Sequence, residues 1–229
     1  MGPVSHLYEE AEPTFTSEGP ALSEGEASIA TVSDHVVGMR ADEPETTGVE
    51  IELKVSDPEV PADGSSCCFY WSAIGTSSDS ITSSVFVGWT ETSWEGGSSD
   101  QYVFVYDGYD GVWNFYGQYS ILPGEVVSFS LTHDSGNYWN AWVYSGGSWD
   151  LLWNEYVGYS YADNGHQQGR VADDGTHFLI HDPYFSDTGI GLDYGWNTWD
   201  TSIDTHQHSD SEYQAQVGTQ WTEWWAEKS

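Results

Sequence analysis

The sequence has 229 residues, of which 37 are acidic and four are basic, so its formal net charge at pH 7 is −33. Such a chain has no basic surface with which to replace the counterions of nucleic acid, and anionic membranes repel it for the same reason. Thirteen Trp, fifteen Tyr and eight Phe residues argue against a disordered chain, because so much apolar surface favours a packed core.

The density of negative charge indicates whether the protein is stable in dilute buffer or requires concentrated salt. Scaling of folded surface with mass gives about 10,000 Å², or about one net negative charge per 300 Å². Neighbouring charges are then roughly 18 Å apart, so they repel one another in dilute buffer and are screened in molar salt. We therefore predict a folded halophilic protein, extracellular, on the cell surface or in a virus particle of a high-salt organism such as an archaeon.

Two parts of the chain differ in composition. Residues 1–47 are rich in Glu, Ser, Pro and Gly, with little apolar patterning, and they predict an acidic low-complexity arm or anchor. Residues 48–229 predict a β-sandwich domain. No apolar run approaches the ~20 residues of a membrane span, so we expect no membrane insertion.

Short runs of alternating apolar and polar residues, separated by Gly, Asp, Asn and Pro, dominate the second part. In residues 126–132, for example, Val127, Phe129 and Leu131 alternate with Ser and Thr, as on a half-buried strand. Repeated short strands of this kind predict an all-β fold, a two-sheet antiparallel jelly-roll-like sandwich with an N-terminal acidic arm. The predicted strands cover residues 48–55, 67–74, 85–92, 101–106, 112–119, 125–132, 138–144 and 149–156.

The C-terminal third carries a weaker signal. Residues 160–175 are typical of a loop, and residues 176–181 form a short strand that ends before Pro183. Trp221, Trp224 and Trp225 have a spacing that fits one helical turn or a final aromatic strand, and we favour the helix.

The order of features from residue 69 to about residue 174 resembles the eqolisins, the glutamic peptidase family, and their non-peptidase relatives. The run Tyr70-Trp71-Ser72-Ala73-Ile74-Gly75 is similar to the family's opening Trp strand. The run Val85-Phe86-Val87-Gly88-Trp89 is similar to the strand that carries its catalytic Gln. The best likeness is Leu122-Pro123-Gly124-Glu125-Val126-Val127-Ser128, which follows the family's Pro-Gly-Asp turn and strand. The resemblance implies two curved antiparallel sheets related to the concanavalin-like jelly roll.

Two departures bear on the peptidase activity that the resemblance implies. Val87 stands where the resemblance places the catalytic Gln, and residues 167–171, where it places the catalytic Glu, contain none. A Glu–Gln dyad works because the carboxylate activates water while the amide stabilises the oxyanion, and Val does neither. We therefore predict a protein without this activity. The alternative is a glutamic endopeptidase with a displaced dyad, formed by Glu91 and Gln168.

Potential metal ligands are numerous, with 37 acidic residues and eight His, so some His–Asp neighbours are expected by chance. His206, His208 and Asp210 form the tightest group, because residues two apart share one face of a strand, but a surface role is favoured over a metal site. The turns at Asp107–Asp110 and Asp173–Asp174 offer oxygen ligands for Ca²⁺, without the stepped spacing of a Ca²⁺-binding loop. We expect no cofactor, with Ca²⁺ as the alternative.

Aromatic residues occupy both faces of the predicted strand 138–144. If Trp139, Ala141 and Val143 face the core, then Tyr138, Asn140, Trp142 and Tyr144 lie on the opposite face. Rings combined with amides suit a sugar or a protein surface, and a second core is the alternative explanation. The sequence thus favours a non-catalytic surface or structural protein, which binds a glycan or assembles as a homo-oligomer or particle. Tyr138, Asn140, Trp142 and Tyr144 are its candidate ligand-binding residues.

Overall fold

The computed structural model describes residues 11–17, 33–57, 60–61, 67–76, 84–93, 100–119, 121–173, 184–193, 195–209, 213–218 and 222–228. Strands and turns, without a helix, make up these residues. The strands are β1 (Phe15–Ser17), β2 (Ser33–Ala41), β3 (Thr46–Lys54), β4 (Cys67–Gly75), β5 (Val85–Thr92), β6 (Asp100–Asp107), β7 (Val112–Tyr116), β8 (Val126–His133), β9 (Tyr138–Ser145), β10 (Ser148–Tyr156), β11 (Asn164–Asp173), β12 (Tyr184–Leu192), β13 (Gly195–Thr198), β14 (Thr205–His208), β15 (Tyr213–Val217) and β16 (Trp224–Lys228).

The described strands form two antiparallel sheets that pack face to face. Sheet 1 has the order β1-β7-β6-β5-β4-β11-β2-β14, and sheet 2 has the order β10-β9-β8-β3-β12-β16-β15, with β13 paired to β12. Across the interface β3 packs on β4 and β11, and β8 packs on β4 and β5. The predicted all-β two-sheet sandwich is confirmed.

The main core lies between the sheets because alternate side chains of each strand point inward. On β3 these are Val49, Ile51 and Leu53, all fully buried, and their partners Phe129 and Leu131 on β8 face the same way. The total accessible surface of 10,167 Å² agrees with the area expected from mass.

A second aromatic cluster lies on the outer face of sheet 1. It joins alternate residues of β4 to rings from β5, β6 and β7, and all of its members are buried: Cys67, Phe69, Trp71, Ala73, Phe86, Phe104, Tyr106, Trp113 and Phe115. Trp71 and Phe86 stack with ring centroids 5.2 Å apart. This cluster lies on strands other than the one at residues 138–144, for which a second core was the alternative explanation, and contains no residue of that strand.

Three sequence-based predictions of local structure were wrong. Residues 33–41, placed in the acidic arm, form β2 between β11 and β14, with Val37, Met39 and Ala41 buried. The boundary drawn at residue 47 therefore cuts through the sandwich, to which β2 belongs. Residues 164–173, expected to be a loop, form β11, and Trp224 lies in strand β16 rather than in a helix.

Some predictions fall outside the described residues, namely the strand at residues 176–181 and the conformation of Trp221. Within the part that the structure describes, no helix is long and apolar enough to cross a membrane.

Candidate functional site

The β9 strand separates core residues from surface residues as the alternation predicts. Trp139, Ala141 and Val143 are fully buried in the core between the sheets. Tyr138, Asn140, Trp142 and Tyr144 consequently lie on the outer face of sheet 2, opposite the core.

Only two of these four outer residues present their rings to solvent. Tyr138 is 44% exposed and Tyr144 is 42% exposed, whereas Asn140 and Trp142 are buried. The Trp142 Nε1–H donates to Thr132 Oγ1 at 2.9 Å, and the Asn154 side-chain amide donates to Asn140 Oδ1. Trp142 and Asn140 therefore form a hydrogen-bonded floor, and the expectation that Trp142 displays its ring does not hold.

A third exposed tyrosine of this face was missed by the sequence reasoning. Tyr156 of β10 pairs directly with Tyr138, is 46% exposed, and places its ring centroid 5.8 Å from that of Tyr138. Tyr109, which is 59% exposed and belongs to the turn between β6 and β7, has its ring centroid 6.2 Å from that of Tyr156. Asn137 Nδ2 donates to the Tyr156 hydroxyl at 3.3 Å. We call Tyr109, Tyr138 and Tyr156 the tyrosine cluster.

The neighbouring strands extend this face with small polar groups and then with carboxylates. Ser130 of β8 lies between Trp142 and Glu50 in one row across the sheet, and its buried hydroxyl has no hydrogen-bond partner. Burial raises the pKa of Glu50, and the like charge of Glu52 adds to the effect. Burial also raises the pKa of Glu52, with a further contribution from Asp187. The face thus changes from aromatic to acidic across β9, β8 and β3.

The two residues proposed for a displaced dyad do not meet. Glu91 pairs with Cys68 on the inner face of sheet 1, where its carboxylate accepts hydrogen bonds from the Val60 N–H at 3.0 Å and from Gln101 Nε2 at 3.2 Å. Gln168 pairs with Trp71 on the outer face of the same sheet. The sheet itself separates Glu91 from Gln168.

Gln101 is the amide that does contact Glu91, and the pair is better explained as a structural link. The amide donates to one carboxylate oxygen while the Val60 N–H donates to the other, so the carboxylate fastens the segment at residue 60 to β5 and β6. Val87, at the position where the resemblance places the catalytic Gln, packs in the inter-sheet core.

The two candidate metal-binding histidines lie on β14, an edge strand of sheet 1. His206 and His208 share the outer face of β14, opposite Arg40 and Gly38. His206 Nε2 lies 3.1 Å from an Asp42 carboxylate oxygen, and the Arg40 guanidinium lies 2.7 Å from the other oxygen. Asp210, the third member of the predicted metal group, is outside the described residues. Within the described ranges no three His, Cys, Asp or Glu side chains are arranged to hold a metal.

The Asp107 turn, a candidate for Ca²⁺, has a structural explanation. Asp107 is buried, and its Oδ1 accepts hydrogen bonds from the backbone N–H groups of Tyr109 at 2.8 Å and Asp110 at 3.3 Å. Burial raises the pKa of Asp107 despite these two bonds. This geometry closes the turn between β6 and β7. In the other turn, Asp174 is outside the described residues.

Comparison with known proteins gives a fold and no family assignment. No protein-family model and no curated protein matches the sequence. Scytalido-glutamic peptidase, solved with a transition state analog inhibitor, superposes with a TM-score of 0.62 at 15% identity over 87% of this chain and 100% of that one. SCP-B, a member of the eqolisin family of peptidases solved with the tripeptide Ala-Ile-His, gives a TM-score of 0.60 at 12% identity over the same shares. The chain therefore has the β-sandwich fold of the glutamic peptidases.

Proposed function

We propose that this protein is a non-catalytic, halophilic binding protein, and that the outer face of the β9–β10 hairpin recognises a glycan. The observation that carries the proposal is the tyrosine cluster, whose rings are exposed on a face with a hydrogen-bonded Asn140–Asn154 floor. Sugars present apolar C–H faces and directional hydroxyl groups, so they are bound by flat rings beside amides and hydroxyls.

Concentrated salt favours this kind of recognition. At molar ionic strength the screening length is about 3 Å, so paired charges contribute little, whereas salts excluded from the protein surface strengthen apolar contacts. The β8–β9 hairpin is correspondingly poor in charge, because Asp134 is the one acidic residue among residues 126–145. The whole chain has 37 acidic residues in 229, which would give about three in a segment of this length. β10 adds Asp150 and Glu155, but these pair with the core-facing Val143 and Trp139, so the outer-face positions of β9 and β10 contain no acidic residue.

The catalytic alternative has less support. Glu91 has hydrogen bonds to both carboxylate oxygens, and Gln168 is on the opposite face of sheet 1. A water molecule activated by Glu91 would have no amide from Gln168 to stabilise the oxyanion. We also propose an extracellular, cell-surface or virion location in a high-salt organism, with a glycan as the partner.

The test is a titration of the protein with oligosaccharides in about 2 M NaCl, followed by Trp fluorescence. Trp142 is a suitable reporter because it lies on the same outer face of β9 as Tyr138, between Tyr138 and Tyr144. We expect Tyr138→Ala and Tyr156→Ala each to weaken binding by about two- to tenfold, the loss typical of one aromatic contact. Tyr161→Ala is the matched control, because Tyr161 is also 44% exposed but lies outside the hairpin.

Two results would reject the proposal. One is cleavage of a denatured protein in the same buffer that disappears in the Glu91→Ala variant, which would establish a peptidase. The other is the dissociation of an oligomer by Tyr138→Ala in the absence of any glycan binding. That result would make the face an assembly contact between copies of the chain.

A further inference from the structure

A pocket of about 450 Å³ opens at the end of sheet 2 where β8 begins and β9 ends. It lies at the opposite end of β9 from Tyr138, roughly 20 Å along the strand at 3.4 Å per residue. Its volume is within the range of small-molecule sites. The described residues that line it are Tyr119, Ile121, Glu125, Val126, Val127, Val143, Tyr144, Ser145 and Gly146.

The floor and the rim of this pocket differ in chemistry. Ile121, Val127 and Val143 form an apolar floor that is continuous with the inter-sheet core. Tyr119 packs against the same core and contributes the aromatic wall, Glu125 is an acidic residue at the rim, and Tyr144 belongs to the outer face of sheet 2. None of the described lining residues is basic.

The Tyr119 phenol is held in its neutral form. Burial, followed by the charge of Asp150 and a hydrogen bond to that residue, raises the pKa of Tyr119 to about 12. At neutral pH the phenol therefore keeps its proton and donates a hydrogen bond to Asp150. This bond places a second carboxylate beside the rim and fixes one aromatic wall.

We propose that this pocket binds a small organic cation of the alkylammonium or quaternary ammonium class. The positive group would lie against the Tyr119 ring, near the carboxylates of Glu125 and Asp150, because aromatic faces and carboxylates both attract cations. The alkyl groups would cover the floor formed by Val127 and Val143. A hydrated metal cation gains nothing from that floor, and an anion is repelled by a chain with a net charge of −33.

Choline and its uncharged carbon isostere, dimethylbutanol, provide a direct test, since they differ chiefly in charge. We would titrate each into the intact protein by calorimetry and NMR in NaCl of constant ionic strength. We expect saturable binding of choline, and binding of the isostere that is at least several-fold weaker.

Two variants locate the binding in the pocket. Glu125→Gln and Tyr119→Leu should each weaken choline binding by about two- to fivefold, the effect of one carboxylate or one ring. Glutamine keeps an oxygen that can accept the Leu122 N–H bond, which Glu125 Oε2 accepts at 3.0 Å, so the turn should survive. Tyr138→Leu is the control for the loss of a tyrosine ring, because Tyr138 lies outside the pocket.

The proposal is overturned if the isostere binds as tightly as choline, if neither binds saturably, or if both variants bind choline as the wild type does. Equal melting temperatures of Glu125→Gln and the wild type would show that a loss of binding is local. Glycan recognition at Tyr138 and Tyr156 is independent of this outcome, so each hypothesis can fail while the other stands.

Discussion

Removal of salt should unfold this protein by releasing the repulsion among its carboxylates. The accessible surface of 10,167 Å², divided by 33 net charges, gives about 308 Å² per charge and a mean spacing of about 18 Å. In water, two unit charges at this distance repel by about 0.2 kcal/mol before screening. With roughly six neighbours for each charge, the surface contains about 100 such pairs.

Screening decides how much of this repulsion remains. Summed over nearest neighbours, it is about 12 kcal/mol at 0.01 M salt, about 4 kcal/mol at 0.1 M and under about 0.1 kcal/mol at 1 M. A typical domain has a free energy of unfolding of about 5–15 kcal/mol. The unfolded chain holds the same charges farther apart, so the folded state bears most of the repulsion. We therefore expect stability to rise by a few kcal/mol between 0.1 M and 1 M NaCl, and to approach zero at 0.01 M.

Urea titrations at fixed pH, followed by Trp fluorescence and circular dichroism, measure the effect. If screening dominates, the free energies of unfolding measured in NaCl and in Na₂SO₄ should fall on one curve when plotted against ionic strength. Salting-out would instead make sulfate more stabilising than chloride at equal ionic strength. The exposed Glu155→Gln variant should be more stable than the wild type in 0.1 M salt and equal to it in 2 M salt. A cooperative transition that keeps its midpoint after dialysis into salt-free water would refute the reasoning.

Three further predictions concern individual groups. Burial raises the folded-state pKa of Glu50 and of Asp107 above the unfolded values of 4.5 and 3.8, so the folded state binds more protons than the unfolded state as the pH falls. The free energy of unfolding should therefore increase as the pH falls from 7 towards 4.5. Glu50→Gln should reduce this increase, as measured by urea titrations at several pH values. Gly88→Ala should cost more than about 3 kcal/mol in the same assay, since its Cβ would lie 1.9 Å from the Tyr70 carbonyl oxygen, whereas Gly117→Ala, with 3.4 Å to its nearest atoms, should be nearly neutral. Trp224→Phe should cost about 1–3 kcal/mol, because it removes the 3.0 Å bond to the buried Gln167 Oε1; an equal midpoint for this variant and the wild type would contradict the bond.

Alternation of apolar and polar residues was sufficient to predict the sandwich and the faces of its central strands. It works on β8 and β9 because each has one side in the core and one side outside, so the pattern has a period of two. The same argument placed Tyr138 and Tyr144 on the outer face. Alternation does not predict which side chains of that face are buried. The Trp142 indole is buried there and donates a hydrogen bond to Thr132.

The pattern fails where a strand is polar and its partners are distant in sequence. Residues 164–173 are rich in Gly, Asn and Gln, yet they form β11 because β4 and β2 supply ladder partners on both sides. Gln167 is buried there because Trp224, 57 residues away, donates to its side-chain oxygen. The sequence around residues 164–173 contains neither the ladder strands nor Trp224, so it gives no sign of these contacts. Residues 33–41 were misplaced for the same reason.

The tyrosine cluster shows a different limit. Positive φ angles at Gly146 and Gly147 make the tight turn of the β9–β10 hairpin, which a Gly-Gly pair predicts. Counting pairs outward from that turn would place Tyr156 opposite Asn137. A register shift between Leu151 and Trp153 moves it by one residue, so that Tyr156 pairs with Tyr138. One bulge therefore creates the pair of exposed rings, and its position follows from packing rather than from the turn.

Charge depletion and aromatic exposure on the hairpin are best explained together. Exposed tyrosines alone occur on many surfaces, and a stretch poor in carboxylates alone is typical of a buried strand. Here both occur on the solvent side of β9 and β10, in a protein that otherwise covers itself with acid. For a chain that depends on its carboxylates for solubility, an uncharged aromatic face favours association. Such a face is expected to persist where a ligand or partner occupies it, and this is why the cluster, rather than the buried Glu91, supports a function.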